Sequence, residues 1–537
     1  MQLVSCACAA FLLLFFVVAK VVGAGSKSSQ YPAAPVCINC HRTETLRYLS
    51  TAMGKSFVRP QQYPNAVVKH TASGSVISVT TQNGTMFHRL KENGFIVDYP
   101  IRYQVGGGMQ GSTFLVQVKD YLFESPLSWY NGFGWDVSPG YEAKSVLDFD
   151  RGVVKACLYC HATGARFDDP DGRHLISKSI QPITCERCHG ASEEHVGHPT
   201  RSNIVNPAKL TGPARDSVCE QCHLEGTIRV LNPGKDWTDY HAGEIAENFF
   251  STYVLVGNSK PEVPLASEVE QLAQSHCAQA TQGKLWCGTC HNPHSAPQPR
   301  AQEIKAICTS CHQQLSPSAH ATGLQECTSC HMPTTTKVTI SHASHTDHRI
   351  LRYPAEGIEP PQKQRLLVWR EPPEQFRQRN FGLAELSLSA VDNHDLWQNG
   401  VDLLLALKPE ELNKDSQAMS ELEDYSFRIG DVTNALQFGR RSVELNPKSA
   451  AAALTFARVL ETSGASSQAE EQFLRAISLD PSLKEAYGRL AIHYMDQQRT
   501  QDARNVLNRY LQWNSNELLV HQMKRDVLAQ QSAPPQK

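Results

Sequence analysis

The chain has no surplus of charge: 51 basic residues face 53 acidic ones among 537, and no basic run is long enough to track phosphates. Nucleic acid is therefore not an expected partner. Cysteine outside CxxC pairs is nearly absent, with only Cys6, Cys8 and Cys277 standing apart among 17. That spacing does not fit the disulfide framework of a small secreted protein. No CxxC lacks a following histidine, and none is followed by lysine. Between Cys157 and His331 long apolar periods are missing, and short polar intervals rich in Gly and Pro take their place. Polypeptide alone would make a poor core there. The length itself exceeds one core and suits roughly three domains.

What the chain does have is Cys-x-x-Cys-His, seven times: Cys37/Cys40/His41, Cys157/Cys160/His161, Cys185/Cys188/His189, Cys219/Cys222/His223, Cys287/Cys290/His291, Cys308/Cys311/His312 and Cys327/Cys330/His331. Two cysteines at this spacing can form thioethers to the two vinyl groups on one porphyrin edge. The next residue then lies beneath the iron as its proximal ligand. Zinc ribbons also use CxxC pairs but do not require the histidine. With 22 histidines in the chain, finding one after all seven pairs by chance has odds on the order of 10⁻¹⁰, which favours seven c-type haems. Covalent attachment of this kind implies maturation outside the cytoplasm.

Each iron needs a sixth ligand or keeps an open position. Twelve further histidines precede residue 350, and Met53 adds a thioether. This supply exceeds seven sites, as six-coordinate electron carriers would require. His198, His241 and His276 read as solvated or hydrogen-bonded surface residues, and Cys277 as a buried free thiol.

The segments CERCHG (185–190) with His195, and CGTCHNPH (287–294), resemble the multihaem cytochromes that include hydroxylamine oxidoreductase, cytochrome c nitrite reductase and the tetrahaem cytochrome c of nitrifying bacteria. The resemblance covers roughly residues 36 to 350. It implies that a trailing histidine ligates a neighbouring haem, which assigns distal roles to His195 and His294. ECTSCHMP (326–333) and HTDHRI (345–350) are similar to members of this group that continue into helical repeats, which implies His320, His342 and His348 as further distal ligands. Met53 stands where the family pattern has histidine, so it is either a distal ligand or a core residue. The remaining ligand falls to His70, His88 or His174; spacing does not choose among them, and His88 is taken as the candidate. The lysine-containing attachment motif of the nitrite reductases does not occur.

Residues 3–19 form an apolar run followed by Lys20 and Val22-Gly23-Ala24, a signal peptide or an uncleaved anchor. Between the first two motifs, Ser75–Thr81 and Thr85–Leu90 flank Gln82-Asn83-Gly84, a hairpin signature. Ile101–Val105 and Thr113–Val118 add alternating runs, while Tyr121–Tyr141 reads as a packed aromatic loop. Pro354, Pro360, Pro361, Pro372 and Pro373 mark an extended linker. Beyond it a 34-residue period is set by Gly430/Gly464, Pro447/Pro481 and Ala435/Ala469/Ala503, which looks like the tetratricopeptide repeat.

The expected architecture is multidomain. A leader or anchor at 1–24 precedes a haem-packed, mostly helical and irregular cytochrome segment at 31–350, with a small antiparallel β insert at about 63–150. A Pro-rich linker at 351–379, an all-α repeat solenoid at 380–530 and a disordered tail at 531–537 follow. The expected function is extracytoplasmic electron transfer, in the periplasm or at a membrane held by the N-terminal segment. Redox partner proteins and a protein partner at the repeats complete the reading. The alternative is an oxidoreductase acting on a small nitrogen or sulfur compound at one five-coordinate haem, although no residue stands out as catalytic.

Overall fold

The computed structural model describes residues 36–532 apart from 93, 178, 257–265, 296–300, 314–325, 337, 352–364 and 389–393. The apolar leader, most of the expected tail and residues 352–364 of the expected linker lie outside the described residues. Among the described residues no helix is long and apolar enough to cross a membrane.

Eight antiparallel strands occupy the interval between the first two motifs: β1 (Phe57–Val58), β2 (Ala66–Lys69), β3 (Val76–Gln82), β4 (Thr85–Glu92), β5 (Phe95–Val105), β6 (Gly111–Val118), β7 (Tyr121–Tyr130) and β8 (Gly134–Val137). They run in sequence order from β2 to β8, with β1 added against β5. Asn83 and Gly84 take φ of 49° and 77°, the mirror-image turn whose twist matches the strands, and Gln82 stands opposite Thr85. The two ends of the sheet approach each other where the Trp135 Nε1–H donates to the Pro64 carbonyl (2.9 Å). The result is barrel-like and large, not the small insert expected. Tyr121–Tyr141, whose Gly and Pro suggest a packed loop, supplies β7 and β8 instead. Pro126 sits in a bulge of β7, where Ser125 to Leu127 stand against Phe114 alone, so its missing N–H breaks no ladder bond.

Phe114, Leu127, Tyr141 and Leu147 are fully buried in this sheet, each stabilising by about 1.5–3 kcal/mol if a Leu or Phe. His88 is buried among them, its Nδ1 paired with the Ser125 hydroxyl (2.7 Å) and its ring edge-on to Trp135.

The expected linker is also partly folded. Arg365–Val368 forms a strand on Phe250–Val256, which pairs in turn with Ile228–Leu231. The first repeat-side helix starts at Glu374 and is pinned to this small sheet: the Asn380 amide donates to Asn232 Oδ1 (2.7 Å) and Ser251 Oγ (2.9 Å). Helix 374–387 crosses helix 394–405 at Gly382 and Gly400, where a side chain at either position would strike the other backbone.

Three helix pairs follow at the expected period: 416–428 with 432–445, 450–462 with 466–479, and 484–496 with 500–513, before a last helix at 518–532. Ala435, Ala469 and Ala503 are all completely buried, the small residues at which paired helices meet. The repeats rest on the segment 148–173 and on the large sheet, where the Tyr99 hydroxyl donates to the Asn516 carbonyl (2.8 Å). Asp171 accepts from the Ser449 hydroxyl (2.6 Å) and the Ala450 N–H (2.7 Å), capping helix 450–462 from outside. Arg173 reaches Asp480 (2.7 Å), and Lys484 reaches Asp148 (2.6 Å), Asp150 (3.0 Å) and Glu517 (3.3 Å).

Two predictions follow from buried charge. Lys484→Met leaves Asp148 and Glu517 buried without their cation and should lower stability by about 3–5 kcal/mol, read from the urea-unfolding midpoint. Burial pushes the His88 imidazole down to about 3, whereas in the unfolded chain it titrates near about 6.5. The unfolded state therefore binds the extra proton across that window. Its contribution is intact above pH 6.5 and is lost as pH falls toward 3, by up to about 1.4 kcal/mol per unit. Stability of His88→Leu should fall less steeply between pH 6 and 4; an unchanged slope would refute this source of acid sensitivity.

Candidate functional site

Each attachment motif forms about one turn of helix, and the geometry follows from that turn. The His41 N–H donates to the Cys37 carbonyl (2.8 Å), and the same four-residue bond joins His189 to Cys185, His291 to Cys287 and His312 to Cys308, each at 2.9 Å. A helical turn places residues i, i+3 and i+4 on one face, so both cysteines and the histidine of a motif point the same way.

That way is inward. All seven motifs contribute to the lining of one cavity of about 4080 Å³, several times the roughly 300–1,000 Å³ of an ordinary ligand pocket. Neighbouring motifs touch across it: Cys37 lies against Cys185, Cys160 against Cys222, Cys219 against Cys287, and Cys308 against Cys327. In a matured chain these sulfurs would be thioethers. Ser56 ties the first three motifs together, donating to the His161 carbonyl (2.8 Å) and accepting from the Ile183 N–H (3.1 Å). The Tyr48 hydroxyl also donates to the Ile183 carbonyl (2.7 Å).

Three histidine pairs face each other across the cavity. The ring centres of His41 and His195 are 6.3 Å apart with planes 18° from parallel; His189 and His294 are at 5.8 Å and 13°, and His291 and His348 at 6.3 Å and 33°. Face-to-face contact is much closer, as Phe133 and His342 show at 3.6 Å. Metal–imidazole bonds of about 2.0–2.1 Å on opposite sides of one ion put two ring centres about 6.3 Å apart. The two separations of 6.3 Å would suit an iron between the rings, and the 5.8 Å of His189 and His294 is about half an ångström shorter.

The rings are also oriented for it. The Nδ1–H of His189 donates to the Val205 carbonyl (2.8 Å), that of His348 to Thr346 (2.7 Å), that of His331 to Leu351 (2.5 Å) and that of His195 to Thr200 (3.0 Å). Such bonds fix the tautomer and leave Nε2 as the donor to a metal. Burial lowers the pKa of His161, His294 and His348 below the ordinary imidazole value, favouring the neutral form that ligates. His223 differs: the Glu268 carboxylate raises its pKa, with Glu268 Oε2 3.8 Å from its Nδ1.

The other expected ligands fall out unevenly. Met53 lines the cavity. His320 lies outside the described residues. His88 is enclosed in the large sheet and does not line the cavity. His342 does not line it either: its Nε2 meets Asp136 (2.7 Å) and its ring stacks on Phe133, which fastens the end of the cytochrome segment to β8. His70 pairs with Ser73 (2.7 Å), and His174 with Asp168 (2.5 Å). Two histidines not expected as ligands, His276 and His345, do line the cavity, as does Glu268. The regular spacing of His342, His345 and His348 hinted at a cluster, but which ring turned inward depended on the sheet beside it.

The family described as the doubled CXXCH motif matches residues 278–317, and the family described as cytochrome c554 and c-prime matches residues 140–190. No curated protein matches the chain. Among solved structures, the crystal structure of MamA is 17% identical over 26% of this chain and 81% of that one, at a TM-score of 0.24. The first TPR of Spaghetti (RPAP3) bound to an HSP90 peptide is 16% identical over 22% of this chain and 98% of that one, at 0.21. The TPR2B domain of yeast Sti1 in complex with pHsp70 is 17% identical over 21% and 97%, at 0.20. At such scores these structures lend no weight to the fold, which rests on the helix pairs themselves. The two family matches between them take in four attachment motifs, and with the CxxCH sequences they support a multihaem c-type cytochrome carrying haem iron.

Proposed function

We propose that the chain is an extracytoplasmic electron carrier that holds seven c-type haems, one at each CxxCH. The observation that carries this reading is the convergence of all seven motifs on one cavity, with three facing histidine pairs near the separation of trans axial ligands. When bound, c-type haem supplies one-electron chemistry at iron. The protein's part is to hold such groups close and keep their sixth positions filled. His195 serves the iron of the first motif, His294 that of the third and His348 that of the fifth. Each distal histidine comes from a segment that follows a later motif, so neighbouring sites are interlocked and their spacing is fixed.

Export follows from the chemistry of attachment and from the apolar leader. The repeats present stacked helix pairs of the kind that dock protein segments, and a redox partner or a neighbouring subunit is the proposed occupant. The kinship with the hydroxylamine oxidoreductase group stays part of this proposal, carried by the CERCHG and CGTCHNPH segments.

The test is haem content by pyridine haemochrome together with carbon monoxide difference spectra of the dithionite-reduced protein. Seven haems per chain and no carbon monoxide shift are expected of the wild type. His195→Ala should bind carbon monoxide at close to one site in seven. A wild-type shift of that size would instead mark an open iron and favour a reaction on a small nitrogen or sulfur compound.

A further inference from the structure

The short helix Glu268–Gln274 touches two of the ligand sets and treats them differently. At its fourth residue, the Gln271 side-chain oxygen accepts from the His348 N–H (2.8 Å) and from the His345 Nε2–H (3.0 Å). That is a neutral amide holding the segment that carries the partner of His291. At its first residue, the Glu268 carboxylate faces the Nδ1 of His223, the proximal histidine of the fourth motif, at 3.8 Å. His189, His195, His331 and His348 all give their Nδ1–H to uncharged backbone oxygens. Glu268 Oε2 is buried and has no hydrogen-bond partner, and its carboxylate faces the His223 ring.

A separation of 3.8 Å is an ion-pair distance and longer than a hydrogen bond. Charge still acts across it, because Coulomb interaction falls only as the inverse of distance. A carboxylate behind an imidazole strengthens the opposite nitrogen as a donor and favours the more positive state of the metal in front of it. Neutral carbonyls do this far more weakly.

We propose that Glu268 is a positioning residue acting through His223, and that it sets the haem of the fourth motif at a lower reduction potential than an uncharged partner would. The proposal rests on the reading that Cys219, Cys222 and His223 hold a haem. The fourth motif touches both the second and the fifth, so the site with the modified potential stands at a junction of the array. A low step there would favour passing an electron onward over keeping it.

The experiment is a stepwise spectroelectrochemical titration of the matured full-length protein, in which each reduction adds one electron from the electrode to a ferric iron. In Glu268→Gln one component of the titration should move to higher potential by at least a tenfold change in its ferric-to-ferrous ratio, 59 mV for one electron. The other components, the haem count and the absorption spectrum should not change. Glu268→Asp keeps the charge at a longer reach and should shift the same component upward by less. If the glutamine variant does not mature, the aspartate variant carries the test by that smaller shift. Titrations that coincide with wild type, or in which every component moves together, overturn the proposal. Mass measurement of the proteolytic fragment containing Cys219 and Cys222 separates the two levels: a fragment without haem in the wild type would sink the reading of the motif itself.

Discussion

The structure depends on one deficit: the polypeptide around the later attachment motifs has no interior of its own. Among the described residues from His276 to Thr336 not one is buried, although this stretch carries three of the seven motifs. Folded proteins pack their interiors to the density of organic crystals, and a segment that buries nothing cannot offset the entropy of its own ordering. Covalently attached macrocycles, as proposed for these motifs, would resolve the deficit by supplying the missing apolar volume. The cavity is therefore less a pocket in a finished protein than the space where the core of this domain belongs. Helices as short as four or five residues around it would be held if each were anchored at two cysteines and a histidine, as proposed.

The rest of the molecule serves as wall. The large antiparallel sheet has its own aromatic core, and it reaches the cavity through the hairpin between β5 and β6, where Gln110 accepts from the Ser344 N–H (3.1 Å). His342 on Asp136 and Ser56 on His161 add two more ties between sheet and motifs. The repeats lean on the same sheet through Tyr99 and Trp513, and on the segment 148–173 through Lys484, Arg173 and the Asp171 cap. A scaffold of this kind would suit the proposed array, since the motif segments cannot set their separations by themselves.

Features written in local chemistry were legible in the sequence. Asn83-Gly84 demands a hairpin turn whatever surrounds it, the alanines at a 34-residue interval demand paired helices, and CxxCH carries its own one-turn geometry. Features decided by tertiary context were not. Pro126 disguised β7 because a bulge that tolerates proline exists only when β6 is beside it. The prolines near residues 354 and 372 hid the strand Arg365–Val368, whose pairing partner lies more than a hundred residues earlier. Histidine was hardest of all: His88, His342 and His345 look alike in sequence, and the sheet sends the first into its core, the second onto Asp136 and the third to the cavity wall. The trailing positions of His195, His294 and His348 stood out in the sequence, but which motif histidine each one faces did not.

The most direct test of this account compares backbone hydrogen exchange in the full chain before and after haem attachment. Without haem, amides between residues 276 and 336 should exchange at close to unfolded rates, and attachment should slow them markedly. Strands β3 to β6 and the helices from 416 to 513 should be protected in both states. Equal protection of residues 276–336 in the haem-free chain would contradict the account, because it would mean that the polypeptide builds that region without the groups it is held here to enclose.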